Sequence, residues 1–222
     1  MKKQGVYTVK TINTGSQPCD FPSNSVWESA ETLNTFHQPW GEEDCPQIQF
    51  KALHDSQFLY LRYKIQDTNV LLFYGSNEKM DVTKSDRVEI FMAKDPALQT
   101  YYCLEIDPSG RILDYSASYH RNFNYHWTWP EGTIFVETDI EVTGYKVDVK
   151  ISKESLQQLG LLNNHIIHAG IYLGHCASLP KTENMEVQFN WLTWIDPKLD
   201  NPDFHVPASF GILELKGPSA QS

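Results

Sequence analysis

Tyr145-Lys146-Val147-Asp148-Val149-Lys150-Ile151 alternates apolar and charged residues without a break. A strand turns successive side chains to opposite faces, so this stretch predicts a strand with one apolar face and one wet face. The same period recurs on both sides of it. Ile48 and Phe50 lead to the turn His54-Asp55-Ser56-Gln57, and Phe58 to Ile65 follow, which reads as a hairpin. Val88, Ile90 and Met92 alternate with Arg87, Glu89 and Phe91. Tyr101 to Ile106 turns at Asp107-Pro108-Ser109-Gly110 into Arg111 to Tyr115, a second hairpin with turn-forming residues at its bend. Ile134 to Ile140, Ile166 to Leu173, Val187 to Trp191 and Ile212 to Leu215 bring the total to roughly nine to eleven strands. Helix is scarce. Ser152 to Gly160 has a Ser N-cap and a Gly stop, and Val26 to Phe36 has room for another short turn with Trp27, Ala30 and Leu33 inward. The reading is all-β: an antiparallel β-sandwich, jelly-roll or immunoglobulin-like, with one or two short helices. No repeat or linker divides the chain, so 1–216 reads as a single domain and 217–222 as a disordered tail.

Composition narrows the partners. The 222 residues carry a net charge of −10, which disfavours a nucleic-acid backbone or an anionic membrane. Aromatic residues make up 13%, with 6 Trp, 11 Tyr and 11 Phe, which suits a β core and also a surface that stacks on something flat and apolar. No run approaches the roughly 18 apolar residues of a membrane span. Met1 to Tyr7 has two lysines and no apolar h-region, so no signal peptide is expected: the chain is cytoplasmic, or secreted with its signal removed. Cys19, Cys45, Cys103 and Cys176 form no CxxC, which excludes a zinc ribbon. Cys103 lies in an apolar strand pattern and reads as a buried thiol. Cys19 and Cys45 sit in polar, Pro-flanked loops, either paired or apart.

Near the C-terminus, Asn201-Pro202-Asp203-Phe204-His205-Val206-Pro207-Ala208-Ser209-Phe210-Gly211 joins two prolines to an aromatic and a histidine. The prolines fix φ and exclude a helix, so Phe204 and His205 are expected on a stiff extended loop, with Phe204 exposed as a binding platform. This segment, with Asp86-Arg87-Val88-Glu89-Ile90-Phe91, resembles the family 9 carbohydrate-binding modules, and more closely the stand-alone family 9-like proteins of the DOMON-like sandwich superfamily. The resemblance extends to Trp27, to Phe58–Ile65 followed by Asp67, and to Phe210-Gly211 with Leu213 and Leu215, over about 190 residues in the same order.

That resemblance implies non-catalytic binding of the end of a plant-type polysaccharide or oligosaccharide of the xylan or glucan class. It also implies company with glycoside hydrolases, and no cofactor beyond a structural calcium. Family 9 modules grip a sugar between two Trp rings. The position of the second ring is Phe204 here, and that of the first is Thr83, so one wall is missing. The family's sugar-hydroxyl ligand corresponds to Glu89, and hydrogen-bonding positions on the next strand fall near Glu105 and Asp107.

The residues point the same way. A pyranose has an apolar face and a polar rim, so its site needs an aromatic plane and carboxylates, amides or Arg. Glu89 and Glu105 lie out of phase with their apolar neighbours, as sugar ligands or as solvated outer-face residues. The loop 119–130 is dense in aromatic and amide side chains. It supplies the missing wall through Trp127 or Trp129, with Tyr119 and His120 as hydroxyl partners, or else it packs as a cover on the sandwich end. His205 and Trp194 are further ligand candidates, and Trp191 reads as core. His165, His168 and His175 match no metal-ligand spacing. Two other classes stay open. One is a glycoside-active enzyme using a carboxylate pair such as Glu89 and Glu105. The other is a haem-binding redox sandwich, for which Met80, Met92 and Met185 stand in no recognisable context.

Overall fold

The structure is a computed structural model, and it describes residues 5–13, 20–41, 45–75, 77–180, 185 and 187–217. Twelve strands run in chain order: β1 (Val6–Thr11), β2 (Gln47–His54), β3 (Phe58–Gln66), β4 (Arg87–Ala93), β5 (Tyr101–Ile106), β6 (Ile112–Ser118), β7 (Asn122–Asn124), β8 (Ile134–Glu141), β9 (Gly144–Ser152), β10 (Ile166–Cys176), β11 (Phe189–Thr193) and β12 (Gly211–Leu215). Among the described residues three short α-helices interrupt them, α1 (Asn24–Trp27), α2 (Glu78–Asp81) and α3 (Lys153–Gln158). The α3 N-cap is Ser152, whose side chain accepts from the Ser155 amide, as the sequence predicts.

One sheet runs β7-β6-β5-β4-β10-β12-β1, with β11 also on β10, and the other runs β1-β2-β3-β9-β8. Their inner faces enclose a common core that includes Phe50, Leu61, Val147, Ile90, Leu104 and Ile171. This is the expected β-sandwich, with one variation. β1 pairs in parallel with β12 through Val6 to Val9 and in parallel with β2 through Lys10 and Thr11, so a single strand passes from one sheet to the other. The remaining ladders are antiparallel.

The charged face of β9 is wet only at Lys146. Asp148 and Lys150 are 2% and 1% exposed. Asp148 is held by Arg62 of β3, and the Lys150 ammonium sits over the rings of Phe58 and Phe135 at 5.0 and 4.4 Å. Alternation places residues on faces, but coverage by α1 and neighbouring aromatics decides what reaches water. Cys103 is fully buried as expected, whereas Cys19 lies outside the described residues, as does 218–222 of the expected tail. Among the described residues no helix is long and apolar enough to cross a membrane.

Candidate functional site

β4 and β5 pair so that Glu89 stands opposite Glu105, and β10 brings Tyr172 opposite Glu89. Val88, Ile90 and Met92 point into the core, so Arg87, Glu89 and Phe91 occupy the outer face. There Arg87 Nε lies 2.7 Å from Glu105 Oε2 and 2.9 Å from Glu89 Oε1. The Tyr115 hydroxyl donates to Glu105 Oε1 at 2.9 Å. All three charged side chains are buried: Arg87 is 6%, Glu89 3% and Glu105 6% exposed.

One cation faces two carboxyl groups. Nε has a single hydrogen, and it goes to Glu105. Glu89 Oε1 feels the charge of Arg87 but accepts no directed hydrogen bond. Burial, with Glu105 adding to it, pushes the Glu89 carboxyl up to about 8 against the pull of Arg87. The two carboxylates, Glu105 first, hold the Arg87 guanidinium charged in spite of its burial.

Aromatic rings border this floor on two sides. The Arg87 guanidinium lies 4.6 Å from the Phe189 ring centre and 5.1 Å from that of Trp191, both on β11 and both half-buried. On the other side Tyr115 packs against Tyr125 at 4.9 Å, and Tyr125 is 39% exposed. An acceptor without a donor, a shared cation and two aromatic rims suit a neutral polyol with an apolar face.

The structure redistributes the residues singled out from sequence. Glu89 and Glu105 do come together. Phe204 is 7% exposed, not an open platform: it stacks on Tyr172 at 4.2 Å and meets Trp191 edge-on at 5.4 Å and Trp40 at 5.3 Å. The prolines stiffen its loop, but the Ser209 hydroxyl bonds the Phe204 carbonyl and turns the ring down onto the sheet. His205 stacks on Phe91 at 4.9 Å with Nδ1 3.1 Å from the Tyr101 hydroxyl. Burial, helped by Arg121, drops its pKa to about 3 and keeps it neutral.

Trp127 and Trp129 pack on Tyr102 at 4.6 and 6.2 Å. Tyr102 faces the inner core, so these two rings belong to the opposite side of the sheet from Glu89 and do not form the missing wall. Trp194 is buried in that same core at 6% exposure and is no rim. Asp107 is a turn organiser: its Oδ1 accepts from the Ser109 and Arg111 amides, and its Oδ2 pairs with Arg111 Nε at 2.6 Å. His120 pairs with Asp203 at 2.8 Å, and Tyr119 is 53% exposed beside it. Thr83 offers no ring; its carbonyl accepts from Arg87 Nη1.

Sequence reasoning missed Arg87, Tyr115, Tyr125, Phe189 and Trp191. The signal for Arg87 was present: on a strand it shares a face with Glu89 two residues on. Phe189 and Trp191 carry the same two-residue spacing, with Phe189 lying 4.9 Å from Trp191.

This fold, a two-layer β-sandwich with carboxylates and aromatics on one outer face, is the setting for the family comparison. The family described as "Carbohydrate family 9 binding domain-like" matches residues 20–218, and the chain belongs to it. Solved structures agree in fold. A Bacteroides uniformis protein proposed to bind carbohydrate superposes with a TM-score of 0.75 at 19% identity, over 95% of this chain and 99% of that one. A family 9 carbohydrate-binding module from Caldicellulosiruptor kristjanssonii superposes with a TM-score of 0.61 at 17% identity in its glucose complex, over 98% of both chains. Its cellotriose complex gives the same score and identity over 96% of this chain and 95% of that one. No curated protein matches the chain.

Proposed function

We propose that the chain binds the end of a β-linked glucan or xylan chain without cleaving it. The site is the outer face of β4, β5 and β11, where the Arg87–Glu89–Glu105 cluster meets the rims of Trp191 and Tyr125. The observation that carries this reading is a carboxylate–arginine cluster bordered by half-exposed rings on one outer face. Sugar hydroxyls meet the polar edge of the cluster, and a pyranose face covers a rim ring. The complexes of the Caldicellulosiruptor module with glucose and cellotriose support the ligand class.

Binding is favoured over hydrolysis by one feature of the cluster. A glycosidase holds the scissile bond between its two carboxyl groups. Here Arg87 Nε occupies that space, within 2.9 Å of one and 2.7 Å of the other. The protein acts beside glycoside hydrolases that supply or consume the chain ends.

Calorimetry with cello- and xylo-oligosaccharides, each with its reducing end free or reduced to the alditol, tests this. Binding to the free forms and loss of binding to the alditols is expected. No heat with any of them, or release of sugar from an aryl glycoside, overturns the reading.

A further inference from the structure

Asp67 follows β3 in one sheet, Asp86 precedes β4 in the other, and His175 lies near the end of β10. These three residues, from widely separated parts of the chain, each offer one ligand atom within 4.8 Å of the other two. We infer that Asp67, Asp86 and His175 bind one zinc-class divalent cation that ties the two sheets together at this end of the sandwich.

The geometry is that of ligands, not of a hydrogen bond. His175 Nε2 lies 3.6 Å from Asp67 Oδ2, too far for a hydrogen bond. Two ligands on a tetrahedral zinc at its usual bond lengths stand about 3.3 Å apart. Asp86 is already aimed: its Oδ2 accepts from the Leu71 amide at 2.6 Å and its Oδ1 from the Cys176 amide at 2.7 Å, which leaves a lone pair on each oxygen.

Polar accounting gives independent support. Asp67 Oδ2 is buried without a hydrogen-bond partner. So is the Tyr145 hydroxyl, on a side chain 4% exposed and in electrostatic reach of Asp86 and Asp67. Asp67 is 9% and Asp86 0% exposed, and among the described residues neither has a Lys or Arg at ion-pair distance. Two buried carboxylates without a cation are costly.

The donor set chooses the metal. Calcium takes about six to eight oxygens, and the calcium that family resemblance implies does not fit this cluster. Two carboxylates and an imidazole suit zinc and its neighbours. A surface cavity of about 680 Å³, lined by Cys45, Thr68 and Thr143 as well as Asp67 and His175, opens beside the cluster and gives an entry path.

The test uses the full chain stripped with a chelator and titrated separately with zinc, cobalt(II) and calcium chlorides. One equivalent of zinc is expected to bind and raise the melting temperature. Cobalt is expected to give the visible bands of a low-coordinate site, and calcium to give neither effect. His175→Ala and Asp67→Asn should each weaken zinc by more than the roughly 100-fold that an outer-shell change costs, whereas His165→Ala, on an exposed residue, leaves it unchanged. If either variant fails to fold, the His175 imidazole resonances of the wild type, which must shift on zinc addition, decide the matter. The inference is overturned by no zinc binding, by calcium binding in place of zinc, by unmoved His175 resonances, or by variants that hold zinc as tightly as wild type.

Discussion

Arg62 on β3 and Arg87 on β4 each lie buried on the outer face of a sheet under a tryptophan, and they are paired differently. Arg62 sits 4.7 Å from the Trp27 ring centre. It donates from Nε and Nη2 to the two oxygens of Asp148 at 2.6 and 2.7 Å, and from Nη1 to Asn24 at 2.8 Å. Both carboxylate oxygens are matched in a bidentate fork, with Lys146 Nζ a further 4.0 Å from Oδ2. Arg87 instead meets two carboxylates with a single Nε, and one oxygen goes without a donor. A completed pair specifies the fold. An incomplete one has capacity for a ligand.

The largest effect should come from breaking the completed pair. Asp148→Ala leaves the Arg62 charge buried without its partner and should cost about 3–5 kcal/mol in urea denaturation. The double change Arg62→Met with Asp148→Leu removes both charges and should recover most of that loss. A single-variant loss below about 1 kcal/mol would mean that solvent reaches Arg62, and the contrast with Arg87 would fail.

The same pair shows how far the sequence could be read. The alternation in Tyr145 to Ile151 places Asp148 and Lys150 on one face, and the hairpins around Asp55 and Pro108 follow from their turn residues. Those signals are local. Coverage is not local: Asp148 and Lys150 read as wet because what covers them, the Arg62 side chain and the Phe58 and Phe135 rings, lies on other strands. The parallel pairings of β1 join distant segments and leave no mark in any window. At the site, Glu89 and Glu105 were legible by phase and by family resemblance. The rims were not, because the loop 119–130 sends Tyr125 to the Glu105 side and Trp127, two residues later, to the inner core. Phe204 does lie on this face, against Tyr172 and Trp191, but buried, because a stiff loop does not dictate exposure.

The next effect tests the incomplete cluster through pH. The Glu89 carboxyl rises from its ordinary 4.5 to about 8. Between those values the folded state keeps a proton that the unfolded state has released. Glu89 therefore contributes stability that is full below pH 4.5, falls as pH rises and is gone above about 8. The slope from one proton is at most about 1.4 kcal/mol per pH unit. Glu89→Gln keeps the neutral shape and should flatten the melting-temperature profile between those limits relative to wild type. A profile parallel to wild type would mean that Arg87 holds Glu89 ionised, so that the cluster carries its excess negative charge openly.

The smallest effect separates the two sides of the sheet as ligand surfaces. Trp191 lies over the incomplete cluster, whereas Trp127 packs on Tyr102 in the inner core. Losing an aromatic face against a sugar costs about 1–3 kcal/mol, so Trp191→Ala should weaken cellotriose binding by roughly 10- to 100-fold. Its fold should survive, because Trp191 is half-buried at a rim. Trp127→Ala should do the reverse: affinity holds for the folded protein, while the melting temperature drops because the Tyr102 and Trp129 rings lose their neighbour. Calorimetry and thermal melts on both variants read the two quantities independently. If Trp127→Ala loses the sugar and Trp191→Ala keeps it, the ligand sits at the loop end of the sandwich, and the unmatched oxygen of Glu89 is a structural defect rather than a site.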